Sequence, residues 1–311
     1  MERKSSRDLE DEKDLQKDAL IHGTAADGTV RCMAAVTTVL VAEAARRHDL
    51  WPTVAAALGR TLTGTLLLGS SLKELDRLTV QIVCDGPIGG ITTEANALGR
   101  VRGYVRNPEA HAPYNERGKF DVRAVVGEGM FYVTRESGYE VGLYRDPYRG
   151  SVPIVSGEIA EDFAYYLTKS EQIPSAVMLG VHLQPEAPYV SAAGGLMIQM
   201  MPGADEKTVG AIEAAVSRMP QVTSLIREGA RPVDLLRAAL GEIEFVPLGE
   251  REVGFACPCS YERAVSMISS IDRAELESML LEDKGAVMTC HFCNETYELS
   301  EAELEGILES Q

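Results

Sequence analysis

The sequence lacks a hydrophobic run long enough to cross a membrane. A spanning helix needs about 20 consecutive apolar residues, whereas the longest candidates, residues 36–41 and 66–68, are short and interrupted or bounded by Thr and Gly. The first 18 residues carry seven acidic and five basic side chains, the opposite of a secretion signal. We therefore predict a cytoplasmic protein with no membrane partner.

Basic residues are also in deficit. The 311 residues include 30 Lys and Arg against 47 Asp and Glu, a formal net charge of −17. Such a chain repels phosphate backbones, so nucleic acid is not the expected partner. A hydrophobic content of 45% and a charged content of 25% are those of soluble globular proteins, which excludes wholesale disorder.

Motifs for common catalytic chemistries are missing. No P-loop is present, because Gly118-Lys119 is followed by Phe120. The glycines at 86–90 do not follow the dinucleotide-binding spacing and read as a turn, and no GxSxG elbow occurs. His22, His48, His111 and His182 lie in unrelated contexts. We therefore predict that the protein is not an enzyme.

Changes in composition along the chain divide it into four parts. A charged N-terminal extension (1–18) precedes a globular core (19–202), a helical linker (203–250) and a small C-terminal domain (251–311). In the core, apolar spacing predicts helices at 32–46, 51–68 and 158–169 and strands at 80–84, 91–94, 101–105, 177–183 and 196–201. Residues 122–126 and 130–134 flank Gly127-Glu128-Gly129 and predict a hairpin. Strands and helices in separate runs favour an α+β fold with antiparallel-type sheets.

The linker is predicted to be helical, and the terminal domain to contain two helices and a short strand at Val287 and Met288 that leads into Cys290. Residues 205–219 and 232–240 each carry an apolar face. In the terminal domain, Asp272 with Glu275 and Ser300 with Glu303 have the spacing of capping boxes. From Cys257 onward there are 12 acidic and three basic residues.

Four of the six cysteines form two close pairs near the C-terminus. Cys257-Pro258-Cys259 is followed, after thirty residues, by Cys290-His291-Phe292-Cys293. Two such pairs can place four sulfurs around one tetrahedral ion, which is the geometry that zinc prefers. An iron–sulfur cluster, chance pairing of buried cysteines, and His291 replacing one cysteine are the alternatives. A closed four-sulfur site leaves no position for water, so metal-dependent hydrolysis is not expected.

The CxC spacing of the first pair is unusual for a purely structural zinc site and indicates a centre that can come apart. Thiolates are nucleophiles toward oxidants, which could trigger this release. Cys32 and Cys84 stand alone in apolar settings, Cys32 on a predicted helix face and Cys84 at a strand end, and are predicted to be buried bystanders. Residues 196–201 include three methionines, which favours a core strand, with an adaptable client-binding surface as the alternative.

Several segments resemble one family, the redox-regulated bacterial heat-shock chaperones of thirty-three kilodaltons (the HslO family). In the terminal domain these are Phe255-Ala256-Cys257-Pro258-Cys259-Ser260, Glu262-Arg263, Cys290-His291-Phe292-Cys293 and Tyr297. In the core they are Val101-Arg102-Gly103-Tyr104-Val105, Ser156-Gly157-Glu158-Ile159-Ala160-Glu161-Asp162, Ser170-Glu171-Gln172-Ile173-Pro174-Ser175 and Ala193-Gly194-Gly195-Leu196. The resemblance runs from about Leu15 to the C-terminus; the charged extension before it and the thiols of Cys32 and Cys84 depart from the family pattern.

The resemblance implies a chaperone that is inactive when reduced and bound to zinc. Oxidation would form Cys257–Cys259 and Cys290–Cys293 disulfides, release the zinc and activate the holding of unfolding client proteins without ATP, with dimerisation. Two other classes stay open from the residues alone. One is a zinc-ribbon binding module fused to an unrelated domain, and the other is a thiol–disulfide oxidoreductase, although no CxxC lies beside a βαβ pattern here.

Overall fold

The computed structural model describes residues 17–73, 75–116, 118, 120–138, 147–186 and 189–311. The chain forms two compact units, one ending at Phe255 and the other comprising Ala256–Gln311. Most of the predicted charged extension, residues 1–16, lies outside the described residues. Asp18, its last residue, is buried and belongs to the first unit. Among the described residues, every helix is too short or too polar to cross a bilayer.

The first unit contains two sheets. One has five antiparallel strands in the order β10-β1-β2-β9-β8: β1 (Ala19–Ala25), β2 (Val30–Val36), β8 (Ser175–Leu183), β9 (Val190–Met200) and β10 (Phe245–Glu252). The other has six strands in the order β11-β5-β4-β3-β6-β7: β3 (Arg77–Cys84), β4 (Ile91–Asn96), β5 (Arg100–Val105), β6 (Gly129–Glu136), β7 (Tyr148–Pro153) and β11 (Gly254–Phe255). Only the β11–β5 pair is parallel among these strands. The predicted α+β class is confirmed.

Seven helices accompany the sheets in the described part of this unit. They are α1 (Thr38–His48), α2 (Pro52–Leu68), α3 (Val122–Val126), α4 (Ala160–Lys169), α5 (Glu206–Arg218), α6 (Val222–Arg227) and α7 (Pro232–Leu240). Helix α2 is buried along almost its whole length and contacts β8 and β9 of one sheet and β4 and β5 of the other. Two of its buried threonine hydroxyls are hydrogen-bonded: Thr61 Oγ1 donates to the Ala57 carbonyl at 2.8 Å, and the Thr65 and Thr93 hydroxyls lie 2.6 Å apart. The main core is therefore built around α2.

Asp18 fixes the start of α1. Its carboxylate accepts hydrogen bonds from the backbone N–H groups of Val39 at 3.1 Å and Leu40 at 2.6 Å, replacing the side-chain cap that Thr37 does not provide. Its backbone carbonyl accepts from the N–H of Val253 at 3.1 Å. Burial raises the pKa of Asp18 to about 7, against the backbone hydrogen bonds, which lower it. One residue thus ties α1 to the end of the first unit.

Two predicted elements of the core are wrong. Residues 32–36 belong to β2, and α1 begins only at Thr38, so Cys32 lies on a strand rather than on a helix face. Strand β2 is apolar on both faces because Met33 and Ala35 face the main core while Cys32 and Ala34 face the opposite side, which hides the period-2 alternation. Residues 122–126 form α3 rather than one strand of a hairpin, and its N-terminus is capped by the Asp121 carboxylate, which accepts from Ala124 N–H at 3.0 Å.

The linker residues lie against the five-stranded sheet. Helices α5 and α7 are confirmed, whereas α6 and the strand β10 were not predicted. The apolar faces of the linker cover the side of the sheet opposite α2. The linker side chains buried there are Ile212, Val222, Ile226, Leu235, Leu236, Ala239 and Leu240, and those of the sheet are Ile21, Ala25, Val30, Cys32, Ala34, Val36, Ala192, Leu196 and Ile198.

The second unit has a small core of its own. Its elements are α8 (Tyr261–Ile268), α9 (Arg273–Glu282), β12 (Gly285–Thr289), β13 (Thr296–Ser300) and α10 (Glu301–Ser310), with β12 and β13 antiparallel. Its buried apolar cluster comprises Ile268, Leu276, Ala286, Leu299, Leu304 and Leu308. The Ser300–Glu303 capping box is confirmed, since the Glu303 carboxylate accepts from Ser300 N–H at 2.8 Å. The box predicted at Asp272 is wrong, because its side chain makes no capping hydrogen bond.

Candidate metal centre

The turn between β12 and β13 positions Cys290 and Cys293. The N–H of Cys290 donates to the Glu295 carbonyl at 2.8 Å, and the Cys290 carbonyl accepts from Cys293 N–H at 3.3 Å and Asn294 N–H at 2.7 Å. Asn294 has a φ of 59°, a left-handed conformation that Asn tolerates better than most residues. These hydrogen bonds form a tight turn, called the knuckle below, and the Sγ atoms of Cys290 and Cys293 lie on the same side of it.

Cys257 and Cys259 come from the segment that precedes α8. Ser260, directly after Cys259, caps this helix, because its Oγ accepts from Arg263 N–H at 3.3 Å. The cap fixes where the extended segment ends and the helix begins.

The structure brings all four cysteines together, and we call them the four-cysteine cluster. Their Sγ atoms lie within 4.8 Å of one another. Two of the sulfur contacts join the two segments: the Sγ atoms of Cys257 and Cys290 are separated by 3.7 Å, and those of Cys259 and Cys293 by 3.2 Å. His291 is exposed and is not part of the cluster.

The cluster fits a tetrahedral metal ion. Sulfurs about 2.3 Å from a zinc ion lie about 3.8 Å from one another along the edges of a tetrahedron; the separations of 3.7 and 3.2 Å lie near this value, and no pair of the four exceeds 4.8 Å. A donor set of four thiol sulfurs suits zinc and other thiophilic metals rather than calcium or magnesium. The cluster can therefore hold one metal ion with no coordination position left for water.

Hydrogen bonds around the sulfurs include one that the sequence motifs did not predict. The Tyr297 hydroxyl, from β13, donates to Cys259 Sγ at 3.2 Å. Burial raises the pKa of Cys290 and, more strongly, of Cys293, while N–H groups of the knuckle lower both. A bound dication would offset this desolvation and favour thiolates, so metal binding at this cluster would release protons.

The other two cysteines lie elsewhere. Cys32 is fully buried in β2, and burial raises its pKa to about 12. Cys84 ends β3 as predicted but is only half-buried, so the expectation of a buried thiol is wrong for it. Desolvation raises its pKa, and a backbone hydrogen bond from Gly86 lowers it. Residues 196–198, including Met197, are buried within β9, as expected for a core strand.

We predict that Cys32 and Cys84 take no part in metal binding. The double variant Cys32→Ala/Cys84→Ala should bind the same amount of zinc per chain as the unmodified protein and respond to peroxide in the same way, because burial suppresses the thiolate form. Metal analysis and thiol titration measure both properties. Loss of the peroxide response in a variant that keeps its fold would contradict this assignment.

Together, the fold and the cluster define a two-unit α+β protein whose smaller unit carries four cysteines that could hold a metal ion. Residues 18–300 match the family model described as "Hsp33 protein". The chain therefore belongs to the Hsp33 family, which consists of chaperones rather than enzymes. Two alternatives left open by the residues, the fused zinc-ribbon module and the oxidoreductase, do not agree with a family match of this extent.

Individual relatives agree with the family assignment. The chain is 45% identical over 296 residues to the 33 kDa chaperonin of Staphylococcus carnosus, and 46% identical over 297 residues to that of Staphylococcus haemolyticus; each match covers 95% of this chain and 99% of the relative. The crystal structure of the 33 kDa chaperonin (heat shock protein 33 homolog) from Thermotoga maritima matches with a TM-score of 0.87 and 35% identity, covering 95% of this chain and 99% of that one.

Proposed function

We propose that the protein is a redox-regulated holdase that acts in the cytoplasm without ATP. In the reduced form, Cys257, Cys259, Cys290 and Cys293 hold one zinc ion and the chaperone is inactive. Under oxidative stress these cysteines form disulfides, the ion is released, and the protein prevents aggregation of unfolding client proteins, as a homodimer. The observation that carries the proposal is the convergence of the four sulfurs within 4.8 Å in a unit with a small core.

The oxidation balances with a peroxide as the oxidant. One thiolate attacks an oxygen of the peroxide, whose O–O bond breaks, and becomes a sulfenic acid. The second thiol of the pair then attacks the sulfur of that sulfenic acid and forms the S–S bond. The displaced hydroxyl group takes up the thiol proton and leaves as water. Each disulfide therefore transfers two electrons to one peroxide, so two peroxides oxidise all four cysteines.

The pairing of the sulfurs decides whether the second unit stays folded. Cys257–Cys290 and Cys259–Cys293 disulfides would join the two segments and close long loops, which restricts the unfolded chain. The proposed Cys257–Cys259 and Cys290–Cys293 disulfides close only tiny loops and leave the two segments unconnected. Although the cross-segment sulfurs lie only 3.7 and 3.2 Å apart in this structure, only disulfides between the neighbouring cysteines allow the unit to open. Peptide mapping of the oxidised protein distinguishes the two arrangements.

The function is tested by light scattering from a heat-denaturing client, with the reduced and the peroxide-treated chain compared in the absence of nucleotide. We expect suppression of aggregation by the oxidised form only, with zinc release measured in parallel by a chromogenic chelator. Cys32→Ala/Cys84→Ala is the matched control for general thiol loss. Equal protection by both forms, or a requirement for ATP, would contradict the proposal.

A further inference from the structure

Strand β10 covers the edge of β1. The two strands pair antiparallel from Ala19 with Glu252 to Ala25 with Phe245, and β10 is the outermost strand on that side of the five-stranded sheet. Val253 and β11 follow β10 directly, and the second unit begins at Ala256. The strand next to β1 is therefore the last long element before the four-cysteine unit along the chain.

Strand β10 carries features that protect an exposed edge from pairing with other chains. Pro247 lacks a backbone N–H, and the strand ends in the charged run Glu250-Arg251-Glu252. The register shifts so that Leu248 has no partner in β1, and this side chain is 67% exposed. A proline, charges and a bulge are the devices by which natural sheets prevent edge-to-edge association.

Strand β1 has none of these devices. Its sequence, Ala-Leu-Ile-His-Gly-Thr-Ala, contains no proline and no Asp, Glu, Lys or Arg. All seven of its residues also pair with β2 on the other side, so β1 would keep its extended shape without β10. Removing β10 would thus expose an ordered, uncharged row of backbone N–H and C=O groups, which is a template for an added strand.

The apolar face next to this edge would be exposed by the same event. Ile21 and Ala25 of β1 are covered by linker side chains that include Leu235 and Leu236 of α7. If the linker and β10 detach from the sheet together, an extended segment of another chain could pair its backbone with the edge of β1. Alternate apolar side chains of that segment would then lie beside the exposed face of Ile21 and Ala25.

We propose that the β1 edge is the client-docking surface of the activated protein, and that an extended segment of an unfolded client adds there as a strand in place of β10. This inference rests on the proposed function, because it requires oxidation to release the linker. Main-chain pairing suits a holdase since every unfolded protein offers free N–H and C=O groups, whatever its sequence. Strand β10 itself shows that an eight-residue segment with a bulge fits this edge.

Hydrogen exchange of the oxidised full chain, with and without a permanently unfolded client such as reduced, carboxymethylated α-lactalbumin, tests the proposal. Oxidation should accelerate exchange at least ten-fold for the amides of 19–25 that face β10, and client should restore their protection. Strand β8, the opposite edge of the same sheet, is the internal control and should gain no protection from client.

Two results would overturn the inference while leaving the proposed function intact. One is an oxidised protein that holds client while the hydrogen exchange of residues 19–25 stays the same with and without client. The other is protection of 19–25 in the client-free oxidised protein that depends on protein concentration, which would show a second copy at this edge. If the oxidised chain holds no client at all, the proposed function itself fails.

A variant of β10 provides a second test in the reduced protein. Val246→Pro removes an N–H from β10 opposite Thr24 and leaves β1 unchanged. We expect its reduced, zinc-bound form to show fast exchange at 19–25 and to hold client without oxidation, whereas Leu248→Ala, at the unpaired position, should behave as the unmodified chain. Fast exchange at 19–25 without any client holding would contradict the docking role.

Discussion

Removing zinc from the reduced chain should unfold Ala256–Gln311 while the first unit stays folded. A domain of roughly 60 residues supplies only about 3–5 kcal/mol of stability from its core, and the core cluster of this one contains six buried apolar side chains. A structural zinc contributes about 10–16 kcal/mol of apparent binding energy in small zinc peptides. If the unit binds zinc as proposed, the metal should therefore dominate its folding free energy.

Charge acts in the same direction. From Cys257 onward, 12 acidic residues face three basic ones, so the unit repels itself once its packing fails. Disulfides between neighbouring cysteines close loops too small to replace the metal. Oxidation should therefore have the same structural result as chelation.

Chelator titration of the full chain under reducing conditions measures the effect. Helical circular dichroism from α8, α9 and α10 should disappear as zinc is removed and return when zinc is added back. Trp51, the single tryptophan, lies at the start of α2 in the first unit, so its fluorescence reports on the core and should change little. Retention of the helical signal after complete zinc removal would contradict the prediction.

The reduced Leu236→Ala variant should hold client without oxidation. Leu236 of α7 is fully buried against the five-stranded sheet, and truncation of such a leucine costs about 2–5 kcal/mol. Helix α7 has nine residues, too few to remain helical without its contacts. The variant should therefore release the linker while the second unit keeps its zinc.

Cys32 reports this release directly. It lies under the linker in the same buried cluster, so its alkylation by a maleimide should accelerate at least ten-fold in reduced Leu236→Ala. The matched control is Arg237→Ala, which changes the next residue of α7 and removes only an exposed pair with Asp234 at 3.1 Å, worth about 0–1 kcal/mol. A variant with accessible Cys32 and no client holding would show that linker release is not the activating step.

The spacing of the cysteines predicted that all four sulfurs converge, and the structure brings them within 4.8 Å, because the cysteines are close in sequence within each pair. That they bind a metal stays a prediction. The sequence did not predict the elements that depend on distant partners. Strand β10, rich in charge and interrupted by Pro247, is a strand only because β1 pairs with it. Cys32 was assigned to a helix because β2 is covered on both faces, which removes the alternation that identifies strands.

Single residues with long-range roles were missed for the same reason. Asp18 appeared to belong to a solvated tail, yet it caps α1 through backbone contacts at Val39 and Leu40. Tyr297 donates to Cys259 across the second unit. Neither role produces a local sequence pattern, since each depends on the chain returning to a point that it passed many residues earlier.

A time course of hydrogen exchange on the full chain during peroxide oxidation, with zinc release and client holding followed in parallel, tests the central claim most directly. We expect exchange to accelerate first in Ala256–Gln311, together with zinc release, and then in residues 203–255, together with client holding, while α2 and β9 stay protected. A zinc-free, client-holding form in which Ala256–Gln311 remains protected would contradict the account.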